Sequence, residues 1–346
     1  MRKLILVLML VAFTVLPVRA LDITAPEVPD SGSQWMPDEA DSFWEGLMQI
    51  LRDGIRLIRP DIKEASSLCL STVSAILLVS LLQTMSSKAK GIAELSGAVV
   101  IAFLLLSGTN SLIRLGTDTV RDLSEYGKLL LPVMTAALAA QGGLTSATAL
   151  YAGTAVFDAV LTAFIHTLLV PMIYFYLALA SANSAIGDET LKKLRDLVKW
   201  LMTWILKILL YVFTCYMAVT GVVSGTTDAA ALKAAKLTIS GMVPVVGGIL
   251  SDASEAVLVS AATVKNAAGI YGILAVMSVC LEPFIKIGTH YLMLKATAGI
   301  SSVFGPKRLT GLVSDFTTAM GMLLAMTGAV CLLLLISTVC VMKGVS

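Results

Sequence analysis

Apolar residues run through most of this chain in blocks long enough to cross a bilayer, and the polar positions between the blocks set the order of elements. The first block, Leu4 to Leu16, follows Arg2 and Lys3 and ends on Val18-Arg19-Ala20. A basic start, a short apolar stretch and a small-x-small site predict a secretory signal peptide over 1–20, with an uncleaved anchor helix as the alternative. Residues 21–40 are acidic, carry Pro26, Pro29 and Pro37, and contain no basic residue. That composition is expected of a flexible linker. Over 41–60, Trp44, Leu47, Leu51, Ile55 and Ile58 recur at helical spacing opposite Gln49, Arg52, Asp53, Arg56 and Arg59. The pattern predicts an extracytoplasmic amphipathic helix ending at Pro60, which either lies on the membrane or docks against protein.

The membrane part opens with spans at Ser66–Ser87 and Leu95–Ile113, together 66–113, joined by a loop carrying Lys88 and Lys90. The positive-inside rule puts that loop in the cytoplasm. Residues Arg114 to Lys128 mix both signs of charge and read as a loop on the opposite side. Beyond them the chain shows signs of duplication: Pro132 and Pro244 stand 112 positions apart, as do Pro171 and Pro283. Two repeat-like units follow, 129–223 and 237–342, each with a Pro/Gly-rich apolar segment, a span, a basic connection and a last span. If the connections around Lys193 and Lys307 are both cytoplasmic, the units have one orientation and the Pro/Gly-rich segments are re-entrant. The piece Tyr291–Phe304 is short for a crossing and reads as a further hairpin. The expected fold is all-α and polytopic, with about six transmembrane helices plus Pro/Gly-rich re-entrant segments. Seven or eight crossings are the alternative.

Composition agrees with that class. Of 346 residues, 57% are hydrophobic and 14% charged, and the mean hydropathy is +0.88; a soluble domain carries about 25% charged residues. A net charge of +2 gives no reason to expect a nucleic-acid partner. The five cysteines sit in apolar stretches without CxxC spacing and read as small hydrophobes. His166 and His290 lack neighbours at metal-ligand spacing and read as packed or pore-facing imidazoles. No nucleotide loop, HExxH or GxSxG motif is present, so no catalytic residue, metal or cofactor is expected.

Two sets of residues carry the candidate chemistry. Pro132, Gly142 and Gly143, and Pro244, Gly247 and Gly248, put helix breakers at membrane depth. Freed backbone is tolerated there only against protein or a water-filled cavity, or else the small residues serve close helix packing. Asp158, Asp252, Glu255, Lys265 and Glu282 are ionisable groups inside apolar stretches, costly unless paired or hydrated. Asp252, Glu255 and Lys265 fall near one helical face, either as a polar path or helix contact or as the wet side of an interfacial helix. Asp158, like Lys207, lies close to a boundary from which a side chain can snorkel.

The run Gly241-Met-Val-Pro-Val-Val-Gly-Gly-Ile-Leu-Ser-Asp-Ala-Ser-Glu-Ala-Val, continuing through Val264-Lys265-Asn266, is similar to the hallmark region of the stage III sporulation protein AE family. The run from Leu130-Leu131-Pro132 to Ser146-Ala147 resembles it too. The resemblance implies a component of a secretion-like channel complex joining mother cell and forespore, in the mother-cell-derived membrane, required for forespore development. It implies as partners the other stage III sporulation A operon proteins, including an ATPase, and the forespore stage II protein Q. A secondary transporter of a small solute or ion is the alternative raised by the repeat and the intramembrane charges.

Overall fold

The computed structural model describes residues 26–37, 43–85, 90–140, 144–219 and 267–343. Among them there is no strand. The elements are α1 (Asp30–Ser33), α2 (Phe43–Met85), α3 (Lys90–Ala140), α4 (Leu144–Phe164), a π-helical turn (Ile165–Leu169), α5 (Val170–Ile186), α6 (Glu189–Val219), α7 (Ala267–Phe304) and α8 (Lys307–Lys343). Six of the helical stretches are long and apolar enough to cross a membrane. The signal peptide expected over 1–20 lies outside the described residues.

Several boundaries differ from the sequence reading, each for a local reason. The amphipathic helix does not stop at Pro60, because α2 runs through it for 43 residues. Its buried positions continue past the proline at Asp61, Ala65, Thr72, Ile76 and Val79, and contact with α7 along this face outweighs the one hydrogen bond a proline removes. The expected exposed loop Arg114–Lys128 is likewise helical, inside a 51-residue α3. Ile113, Val120, Leu123, Leu130 and Met134 are buried on one stripe, while Gly116 and Gly127 let that stripe close on Leu323 and Leu334 of α8. Tyr291–Phe304 is the end of α7, which passes through Pro283 without a break. Between 26 and 37 the expected linker packs on α7: Gly32 meets Val279, and Val28 and Met36 rest on the core.

The π-helical turn comes directly before Val170-Pro171. A proline has no N–H to give to the preceding turn, and a one-residue slip in the ladder is a common response to such a gap. Further along, α5 ends at Gly187, whose φ of +77° is left-handed and whose N–H donates to the Asn183 carbonyl at 2.7 Å. That conformation favours glycine at a helix C-terminus. One residue later Asp188 Oδ1 accepts from the Thr190 N–H at 2.7 Å and caps α6.

The spans alternate in direction. Ser80 donates to the Phe304 carbonyl, Gln83 to Glu94 and Ser184 to the Arg308 carbonyl, so the connections α2/α3, α5/α6 and α7/α8 lie at one end of the bundle. These are the three basic connections of the sequence. The pairs α4/α5–α6 and α7–α8 therefore point the same way. Helix α8 is the axis: 94% of its most apolar window is buried, by Leu312, Phe316, Met320, Leu323, Val330 and Leu334 among others.

Candidate functional site

The helices are longer than a bilayer requires. At about 1.5 Å per residue, α2 extends about 65 Å and α3 about 77 Å, whereas the hydrocarbon core is about 30 Å thick. Measured from the basic connections, the charged stretches Arg52–Glu64 and Arg114–Lys128 begin about 30 Å or more along α2 and α3, at or past the length of such a hydrocarbon core. The projecting part of α2 is apolar on two sides. Phe43 and Ile50 are buried, while Trp44 is 61% exposed, and Met48, Leu51 and Ile55 are exposed beside it at helical spacing. The stripe read from the sequence is therefore divided, since Trp44, Leu51 and Ile55 face outward.

Inside the bundle, charges are joined across helices. Arg195 Nη1 of α6 is 2.7 Å from Asp315 Oδ2 of α8, and Tyr176 of α5 donates to Asp315 Oδ1 at 2.9 Å. Arg195 also holds Asp196 Oδ1 through Nη2 at 2.8 Å. Both oxygens of Asp315 are thus satisfied by groups from two other helices, which makes a buried carboxylate tolerable. Nearer the basic end, Glu94 accepts from Gln83 and pairs with Arg308 at 3.7 Å, and the Arg308 guanidinium lies against Gly187. The sequence marks Arg195 as part of the basic connection around Lys193, while Asp315 and Glu94 carry a weaker signal, an isolated charge at a position that the helical period assigns to an inward face.

The structure separates the predicted candidates. Asp158 of α4 is 3% exposed, its Oδ2 accepting from Ser124 of α3 at 2.7 Å while Oδ1 has no hydrogen-bond partner among the described residues. Glu282 pairs with Lys286 one turn on at 2.6 Å. On the same face of α7, His290 is buried with Nδ1 2.9 Å from the Lys286 carbonyl, and Asp61 of α2 lies in electrostatic reach of both. Pro132, read as a re-entrant breaker, lies inside α3, where Thr135 donates to the Leu131 carbonyl. The helix therefore continues beyond it to Ala140. Gly142, Gly143, Pro244, Gly247, Gly248, Asp252, Glu255 and Lys265 lie outside the described residues. No group of three or more His, Cys, Asp or Glu among the described residues is placed to hold a metal ion.

Long apolar helices in alternation, with internal charges paired across them, define a polytopic α-helical membrane protein. Residues 37–345 match the family model of stage III sporulation protein AE, and the chain belongs to that family. Stage III sporulation protein AE of Bacillus subtilis (strain 168) is 23% identical over 207 residues, which is 60% of this chain and 52% of that protein. The chain spans about half the length of that relative. No solved structure matches.

Proposed function

We propose that the chain is a membrane component of a secretion-like channel complex between mother cell and forespore, required for forespore development and seated in the mother-cell-derived membrane. Family membership over most of the chain supports the sporulation role. The observation that carries the finer reading is the projecting layer of the bundle. Exposed Trp44, Met48, Leu51 and Ile55 on α2 and Val156 on α4 lie farther from the basic connections than the hydrocarbon reaches, and apolar surface in water marks an interaction site. In this reading the basic connections face the mother-cell cytoplasm and the N-terminal segment is extracytoplasmic. The projecting layer meets operon-encoded partners and, directly or through them, the forespore stage II protein Q. The operon ATPase acts from the cytoplasmic side.

The alternative is a secondary transporter working as a single chain. Against it, α8 fills the axis of the described bundle with apolar side chains, so conduction belongs to an assembly of chains. Co-expression with the operon proteins followed by mild solubilisation tests the choice. Recovery of this chain in a multi-protein particle is expected. Recovery as a lone chain that moves a solute across liposomes would favour the transporter.

A further inference from the structure

Between α2, α3 and α7 lies a cavity of about 670 Å³, lined by Lys63, Glu64, Ser67, Phe103, Ser107 and His290 among others. It is of the size that takes a small organic ligand. Its outer rim is Phe103, exposed on α3, and its floor is His290, 95% buried by its 5% exposure. Depth along the helices places it at one membrane face. Measured from Met85 and Lys90, Ser107 lies about 26 Å and Glu64 about 32 Å along the helix axes, so the cavity straddles the far edge of a hydrocarbon layer about 30 Å thick. Phospholipid headgroups sit at that level.

The polar groups are arranged for a particular headgroup. His290 Nδ1 stands 2.9 Å from the Lys286 carbonyl, which can only accept, so Nδ1 carries a hydrogen, and in the tautomer this selects Nε2 is the acceptor of the ring. The described residues give Nε2 no hydrogen bond. Behind the lining, Asp61 is 5% exposed with Oδ2 without a hydrogen-bond partner among the described residues, Lys286 lies in electrostatic reach of both Asp61 and Glu64, and Glu64 at the wall makes no ion pair among the described residues. Glu64 and the His290 Nε2 are thus acceptors on the cavity lining, and Lys63 with the Ser67 and Ser107 hydroxyls supplies donors on the same lining. An acidic and a basic side chain adjacent on α2, with a buried imidazole on the floor, match a protonated primary amine followed by a phosphate, while Phe103, Leu68 and Leu104 offer an apolar wall for acyl chain.

We infer that this cavity is a lipid site for an ethanolamine phospholipid headgroup, its ammonium held by Glu64 and His290 and its phosphate by Lys63. The site stands independently of the proposed role in a channel complex. A choline headgroup carries no N–H to give to Glu64 and His290, and a glycerol headgroup brings no positive charge to them.

The test uses the full chain reconstituted with equal amounts of phosphatidylethanolamine, phosphatidylcholine and phosphatidylglycerol, with retained lipids measured by native mass spectrometry. Retention of the ethanolamine lipid about tenfold over the choline lipid is expected, the size of one or two charge-assisted hydrogen bonds. Glu64→Gln, at an exposed position that leaves folding intact, is expected to remove most of that preference, and His290→Leu part of it. Equal retention of ethanolamine and choline lipids, or preference for phosphatidylglycerol, would overturn the assignment. So would an unchanged preference in Glu64→Gln. Displacement of the lipid by soluble phosphoethanolamine at equal concentration would also overturn it, because the site would then belong to a free amine.

Discussion

Arg195 of α6 and Asp315 of α8 form an ion pair at 2.7 Å inside the bundle, with 15% and 13% of their side chains exposed. The contact fastens an outer helix to the central one, and Tyr176 of α5 completes it. Removing one partner of such a pair leaves a buried charge alone, which costs about 3–5 kcal/mol, whereas replacing both by apolar residues is often neutral. Asp315→Ala is therefore expected to destabilise the purified protein by about that amount in thermal melts, and the double change Arg195→Met with Asp315→Leu to recover most of it. Equal losses in the single and double variants would show that packing, not charge, governs the site.

Asp158 depends on Ser124 in a similar but weaker way. Among the described residues Oδ1 has no hydrogen-bond partner and Ser124 gives Oδ2 the one hydrogen bond it has from another helix, so Ser124→Ala leaves the buried carboxylate without it, at a cost of about 1–3 kcal/mol. Asp158→Asn combined with Ser124→Ala is expected to be milder than Ser124→Ala alone, since a neutral amide is cheaper to bury. Melting temperatures of the variants in detergent check the order.

Gly187 holds the turn between α5 and α6 at φ +77° with the Arg308 guanidinium against it. An alanine there would be strained by about 1–2 kcal/mol and would push Arg308 from Glu94. Gly187→Ala is expected to lower the melting temperature and Gly187→Asn to lower it less, because asparagine tolerates this conformation.

Topology gives a further expectation. In a chain freed of its native cysteines, Lys193→Cys and Lys307→Cys are expected to be shielded from an impermeant thiol reagent in intact cells, and Gln49→Cys to be labelled. Labelling at Lys307 would separate two connections that the bundle places at one end.

Much of this fold was legible in the chain, and the exceptions share one cause. The runs Ser66–Ser87 and Leu95–Ile113 have no charges and read directly as spans. In Arg114–Lys128 the charges dominate the composition, yet Arg114, Asp118, Arg121, Glu125 and Lys128 themselves recur three or four apart, opposite Ile113, Gly116, Val120, Leu123 and Gly127. The helical period was present, but charge was read as a sign of a loop. Pro60 and Pro132 read as breaks because local chemistry favours one there. Helix contacts with α7 and α8 override that preference, and these are set by residues far away in sequence. Asp158 stood out as a lone carboxylate in an apolar stretch. Asp315 did not, since its partners Arg195 and Tyr176 lie more than a hundred residues away.

The exposed stripe on α2 offers the most direct test of membership in an assembly. Trp44 and Leu51 are exposed, Trp44 meeting buried Phe43 edge-on, so changing both to Asp leaves the buried packing of the bundle in place while adding two charges to the proposed contact surface. In a sporulating host lacking its own family member, the chain carrying Trp44→Asp and Leu51→Asp is expected to reach the membrane at normal abundance. It is also expected to lose its operon partners in pull-downs and to arrest forespore development. Normal partner recovery together with normal spore yield would contradict the proposal that this face joins the chain to its complex.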